Sequence, residues 1–182
     1  MKDLAVLQDL FQKEIDALQL GLAPEKLYDP MHYIMNLGGK RLRPILSLMG
    51  AGLYGDPSKA MPQAMAIELF HNFSLIHDDI MDAAPLRRGE DTVHIKWDAN
   101  IGILSGDGML VMAYKYVAQC SPELLPEVLA TFSKTALEVC EGQQMDMDFE
   151  ILDQVSLDTY IKMIQFKTSV LRGCAMKSGA LV

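Results

Sequence analysis

No run of apolar residues in this chain approaches the ~18 that a membrane-spanning helix requires, because Asp, Lys or Gly interrupts each one earlier. A transmembrane helix is therefore not expected. The start, Met1-Lys2-Asp3, lacks the apolar block and small-residue cleavage site of a secretory signal and runs straight into an amphipathic pattern, so the expected address is cytoplasmic. Cysteine is scarce. Cys120, Cys140 and Cys174 are an odd number, far apart and without a CxxC pair, which argues against a disulfide framework or a zinc knuckle and for buried thiols in a reducing compartment. Positive charge is also short: 16 Lys and Arg stand against 24 Asp and Glu, a net charge of −8, the wrong balance for a nucleic-acid partner. Finally, no segment sustains the period-two alternation of a strand over five residues with turns at both ends.

What is present is the composition of an ordinary soluble domain, 50% hydrophobic and 22% charged over 182 residues, enough for one compact core. Leu4, Leu7, Phe11, Ile15 and Leu18 recur at spacings of three and four and predict a helix from Lys2 to Leu20, stopped by Gly21. A loop over Gly21–Tyr28 precedes a helix expected to begin at Asp29-Pro30 and end at Gly38-Gly39. The next helix covers Ile45 to Tyr54, and Gly55-Asp56-Pro57-Ser58 has turn chemistry. From Lys59 to Ala83 apolar residues occupy too much of the circumference for a surface helix, which predicts a central, buried one. Pro85–Val93 reads as a polar connection, followed by helices over Asn100–Cys120 and Glu123–Phe149. A last helix from Ser156 is expected to carry Tyr160, Met163, Ile164, Val170, Leu171 and Cys174 on its inner face. The fold class is all-α, a single domain over residues 1–182. The helical pattern runs to the final residue without a stop signal, which gives the expectation of a domain cut in mid-helix.

Chemistry concentrates in Leu75-Ile76-His77-Asp78-Asp79-Ile80-Met81-Asp82. On a helix Asp78 and Asp82 are one turn apart on one face with Asp79 beside them, and three convergent carboxylates repel unless a hard divalent cation neutralises them. A solvated acidic turn is the bland alternative. The apolar remainder of the helix and the unfavourable position of negative charge at a helix C-terminus weaken it. Gly38-Gly39-Lys40-Arg41-Leu42-Arg43-Pro44 places Lys40 and Arg43 beside glycines that let the backbone approach an anion. It is not a Walker loop, which would need glycine at Ile34 and Ser or Thr at Arg41. Arg87-Arg88-Gly89 follows Asp82 closely, an alternation of charge suited to a diphosphate bridged between Mg²⁺ and guanidinium groups.

The ordered series Gly-Gly-Lys-Arg-Leu-Arg-Pro, His71, Asp-Asp-Ile-Met-Asp, Arg-Arg-Gly, Gly106-Asp107, Glu141-Gly142-Gln143 with Asp146, and Lys167-Thr168 spans residues 38–168. It resembles the trans-isoprenyl diphosphate synthases of the farnesyl and geranylgeranyl type. The resemblance implies an isoprenoid synthase-type helical bundle and a transferase that joins isopentenyl diphosphate to an allylic diphosphate, giving a short-chain C15–C20 prenyl diphosphate by magnesium-assisted ionisation. It further implies that Asp78 and Asp82 ligate Mg²⁺ with Asp79 supporting. By the same resemblance Lys40, Arg43, His71 and Arg88 bind isopentenyl diphosphate, Arg87, Lys167 and Thr168 bind the allylic substrate, and the protein is a homodimer. Gln143 and Asp146 are expected near the diphosphates, with helix capping or interhelical bonding as the alternative, while His77 is read as packing. Phe73 and Ser74, five and four residues before Asp78, lie one turn deeper, where Phe73 could be a floor to the growing hydrocarbon or simply core.

Two departures from the family stand out. The second aspartate-rich motif is missing: the fourteen residues after Thr168 contain no Asp or Glu, so the 182-residue chain is expected to be inactive or impaired. Asp91 stands where the family commonly has proline before Thr92. A class I terpene cyclase, which would not need the isopentenyl site, and a non-catalytic partner subunit remain as alternative functions.

Overall fold

A computed structural model describes residues 3–182, so the expected helical start at Lys2 lies outside the described residues. Helix α1 spans Leu4–Asp16, capped by the Asp3 carboxylate, and turns Leu7, Phe11 and Ile15 into the core. The chain then reaches α2 (Glu25–Asn36), which begins four residues earlier than the Asp29-Pro30 signal suggests. Pro30 sits inside that helix. A proline there removes one backbone donor, and burial of Pro30, Met31, Ile34 and Met35 against the core outweighs the loss. Helix α3 (Leu42–Gly52) likewise starts earlier than Pro44 suggested, launched from Arg41 at a left-handed φ of 47°.

After a 3₁₀ turn at Pro57–Ala60, α4 (Met61–Met81) forms the axis of the molecule. Met65, Ile67, Leu69 and Phe70 on α4 are all within 1% of complete burial. At about 1.5–3 kcal/mol for each fully buried side chain, this helix contributes a large share of the hydrophobic stabilisation. It packs against α3 and, most extensively, against α6 (Ala99–Val117). Between them the expected plain connection is structured: Leu86–Arg87 (β1) and Glu90–Asp91 (β2) form a two-residue antiparallel hairpin, followed by the single-turn helix α5 (Val93–Lys96). Strands this short carry no detectable alternation in the sequence.

Helix α7 (Leu125–Phe149) lines the far side of the site. The final helix expected from Ser156 is broken into α8 (Leu157–Ile164), a π-helical turn at Gln165–Ser169, and α9 (Val170–Leu181). The wider turn shifts the helical phase. Met163, Leu171 and Cys174 are buried as expected, whereas Tyr160 and Ile164, on α8 ahead of the turn, are exposed. α9 packs on α3, α4 and α7.

Candidate active site

The last turn of α4 carries the acidic residues. The backbone N–H of Asp82, which caps the helix, donates to the carbonyl of Asp78 at 2.8 Å. Asp79 points elsewhere. It is 2% exposed, and both its oxygens accept hydrogen bonds from Arg87, at 2.7 Å each. The expected convergence of three carboxylates is thus realised as two plus one: Asp78 and Asp82 are available at the opening, while Asp79 is consumed in fixing Arg87. Asp82 has its pKa raised by partial desolvation and then by the charge of Asp78, the repulsion a cation would relieve. Among the described residues no group of three or more His, Cys, Asp or Glu closes on a metal by itself. One or two carboxylates completed by substrate oxygens and water is what magnesium typically accepts, so Asp78 and Asp82 fit the ion.

Lys167 faces them from the π-helical turn, its Nζ 2.6 Å from Asp146 on α7 and 3.2 Å from Asp78. Desolvation lowers the pKa of Lys167, but the bond to Asp146 and the charge of Asp78 outweigh it, so the net shift is upward and the ammonium persists. The turn reaches this position because Gly142 offers no side chain: a Cβ there would collide with the backbone of Lys167. Gly142 was part of the motif, but its reason, a backbone-to-backbone approach, was not visible in the sequence.

A basic shelf lies on the other side. Arg43 Nη1 is 3.1 Å from His71 Nε2; since guanidinium only donates, that nitrogen must accept, and the imidazole is neutral. Burial and then the neighbouring Arg43, Arg88, Arg87 and Arg41 drive the His71 pKa down to about 3. The pKa values of Arg43 and Arg88 are also lowered, by burial first and then by other guanidiniums. Positive charge is concentrated here beyond what its acceptors neutralise. Arg88 holds a left-handed φ of 59°, and Gly39, at φ 127°, lies against its guanidinium, so the glycine loop and the hairpin tip meet. Such a φ at arginine costs of order 1 kcal/mol and points to a positioned side chain. Lys40 is exposed, with no ion pair or hydrogen bond among the described residues.

Between these two charged edges opens a cleft of about 340 Å³. It brings together eight residues anticipated from sequence: Arg43, His71, Phe73, Ser74, Asp78, Gln143, Lys167 and Thr168. Arg43 Nε and Gln143 Nε2 are buried donors without a protein partner among the described residues, which suits them to an anionic ligand. Lys40, Arg87, Arg88, Asp79, Asp82 and Asp146 do not line the cleft itself; Arg87 and Asp146 act on it by holding Asp79 and Lys167. His77, Cys140 and Met147 line it without having been anticipated as site residues. Arg41 was also missed. It pairs with Glu68 and bonds the Met35 carbonyl, anchoring the basic loop to α4. A glutamate in the middle of an apolar helix was the available signal, because a buried carboxylate demands a partner.

The chain as a whole is similar to known proteins in sequence and in fold. The family model described as "Polyprenyl synthetase" matches residues 24–182. A geranylgeranyl diphosphate synthase of Methanosarcina mazei is 42% identical over 171 residues, covering 92% of this chain and 53% of that protein. A short chain isoprenyl diphosphate synthase of Methanothermobacter thermautotrophicus is 40% identical, with 88% and 50% covered. Among solved structures, a geranylgeranyl pyrophosphate synthase superposes with a TM-score of 0.96 at 53% identity, covering all of this chain and 56% of its own. The enzyme of that name from Geoglobus acetivorans gives 0.94 at 37%, covering 99% and 60%. The chain spans about half the length of the curated relatives it matches. Over the length it has, it belongs to the polyprenyl synthetase family.

Proposed function

We propose that the protein is a prenyltransferase that condenses isopentenyl diphosphate with an allylic diphosphate, with magnesium, to give a short-chain C15–C20 prenyl diphosphate. The observation that carries the proposal is the cleft itself: the Asp78 carboxylate, with Asp82 one turn beyond it, and the cations Arg43, seated on neutral His71, and Lys167 flank an apolar interior that begins at Phe73. Two diphosphates and one hydrocarbon tail require that distribution of charge. When bound, magnesium neutralises the allylic diphosphate and stabilises it as a leaving group.

The protein's own groups divide the remaining work. Asp78 and Asp82 hold the cation. Lys167, kept charged by Asp146, and Thr168 beside it bind the allylic diphosphate from the opposite wall, so negative charge developing on the departing oxygen meets a preorganised donor. Arg43, with Lys40 and Arg88 at the loop and hairpin, takes isopentenyl diphosphate, and neutral His71 fixes the Arg43 fork by accepting from it. Phe73 and Ser74 close the apolar end and exclude water from the allylic cation. The proton lost from isopentenyl diphosphate leaves with the diphosphate.

Of the three free cysteines only Cys174 is buried as expected, Cys120 being half-buried and Cys140 exposed; free thiols suit a reducing, cytoplasmic compartment, and no described helix is long and apolar enough to cross a membrane. Ile103, Leu104 and Val111 form an exposed apolar face on α6, with Val111 68% exposed, which supports a homodimer. The residues 1–182 are proposed to be the N-terminal part of one prenyl synthase domain whose second aspartate-rich motif lies outside them.

Incubation of the full-length protein, rather than residues 1–182 alone, with isopentenyl diphosphate, a labelled C10 or C15 primer and Mg²⁺ tests the reading. Extension of the primer by five-carbon units is expected. Conversion of the primer alone to a hydrocarbon would assign a cyclase instead, and turnover only on mixing with a homologous synthase would assign a partner subunit.

A further inference from the structure

We propose that His77 is a specificity-determining positioning residue that clamps Phe73 and so sets how long a hydrocarbon the cleft accepts. The inference rests on the condensation reading and adds a residue to it. Phe73 and His77 are one turn apart on α4 and both line the cleft. Their rings meet edge to face, with centroids 4.7 Å apart and planes at 66°. His77 is in turn tied to the neighbouring helix: its Nε2 donates to the carbonyl of Ile103 on α6 at 3.1 Å. The ring also lies directly over Gly106, where any Cβ would collide with it. The Gly106-Asp107 pair is thereby explained, since glycine at this point of α6 is the seat of the imidazole.

On its other side Phe73 meets Phe70, at 5.4 Å between centroids, and Phe70 meets Phe132 of α7 at 5.4 Å. Phe73 is therefore held between a rigid aromatic core and a histidine pinned to α6. A ring fixed on both sides cannot swing aside for a longer tail. A ring released on one side can adopt another staggered rotamer. This distinguishes a floor from a core residue that happens to border the cleft, and it places control of the floor on a residue other than those assigned to the diphosphates.

The test is binding of unreactive allylic thiolodiphosphates of C10, C15, C20 and C25 by calorimetry in Mg²⁺, for the parent, His77→Ala and Gly106→Ala, with product length read by chromatography alongside. The parent is expected to bind progressively longer analogues up to a limit. In His77→Ala that limit moves up by one five-carbon unit, with at least tenfold tighter binding of the first analogue the parent rejects, and products lengthen in step. Gly106→Ala, which displaces the ring without removing it, moves the limit the same way and stands in if His77→Ala does not fold. His77→Phe, which keeps a ring against Phe73, restores the parental limit. An unchanged limit in both His77→Ala and Gly106→Ala, with the parent binding normally, overturns the clamp and leaves the condensation reading intact. Failure of the parent to bind any analogue overturns both.

Discussion

Lys167 and Asp78 approach across the cleft to 3.2 Å, joining the π-helical turn to the end of α4. The cation therefore already sits where a diphosphate bridged to the Asp78 site would need its second contact. Replacing Lys167 by Ala is expected to lower kcat roughly 10²-fold, the usual cost of removing one donor that stabilises developing negative charge. The pair is partly exposed, so unfolding free energy should change by no more than about 1 kcal/mol. Steady-state kinetics with urea unfolding of the same variant checks both.

The neighbouring carboxylates of α4 should separate by consequence. Asp79→Ala leaves the Arg87 guanidinium without its buried partner and is expected to cost about 3 kcal/mol of stability. Asp78→Ala is expected to change stability by less than about 1 kcal/mol yet weaken Mg²⁺-dependent diphosphate binding by about 10²-fold or more. Equal effects of the two on stability, measured by urea unfolding, would contradict the two-plus-one division of the acidic cluster.

Gly142→Ala tests the close approach that delivers Lys167. The added methyl meets backbone rather than a flexible side chain, so the turn must shift. A loss of about 1–3 kcal/mol and a rise in KM for the allylic substrate are expected. A variant with parental KM would show that the π-helical turn has no part in placing Lys167.

The charge on His71 gives a pH signature. Its folded pKa is about 3, against about 6.5 unfolded. Between these values the unfolded chain binds the extra proton, so stability falls as pH drops through 6.5 and continues to fall toward 3. From pH 7 to pH 5 the loss from this group is about 1–2 kcal/mol. His71→Gln cannot take up that proton in either state and should lose correspondingly less over the same interval, as urea unfolding at the two pH values would show.

Much of this site was legible because its residues are chemically conspicuous. The Asp78–Asp82 turn and the Lys40–Arg43 loop stand out wherever they fold, and the apolar circumference of α4 announced its burial. What stayed hidden depends on contacts between segments. The Leu86–Asp91 hairpin is too short to alternate. The π-helical turn has no residue of its own that marks it, and the glycine that permits it, Gly142, sits on another helix. Tyr160 and Ile164 share the apolar stripe of Met163 in the sequence, yet only Met163 is covered by a neighbouring segment. Pro30 misled because burial of α2 overrode its local preference. Asp79 looked equivalent to its neighbours until Arg87 was seen to occupy both its oxygens.

The most direct measurement is calorimetric titration of the protein with an unreactive allylic thiolodiphosphate, in Mg²⁺ and then in EDTA, repeated with Asp82→Ala. Joint gripping of a diphosphate by the acidic edge and the cationic wall predicts binding that requires the metal and is lost in the variant. Binding of equal strength in EDTA, or binding indifferent to Asp82, would contradict it.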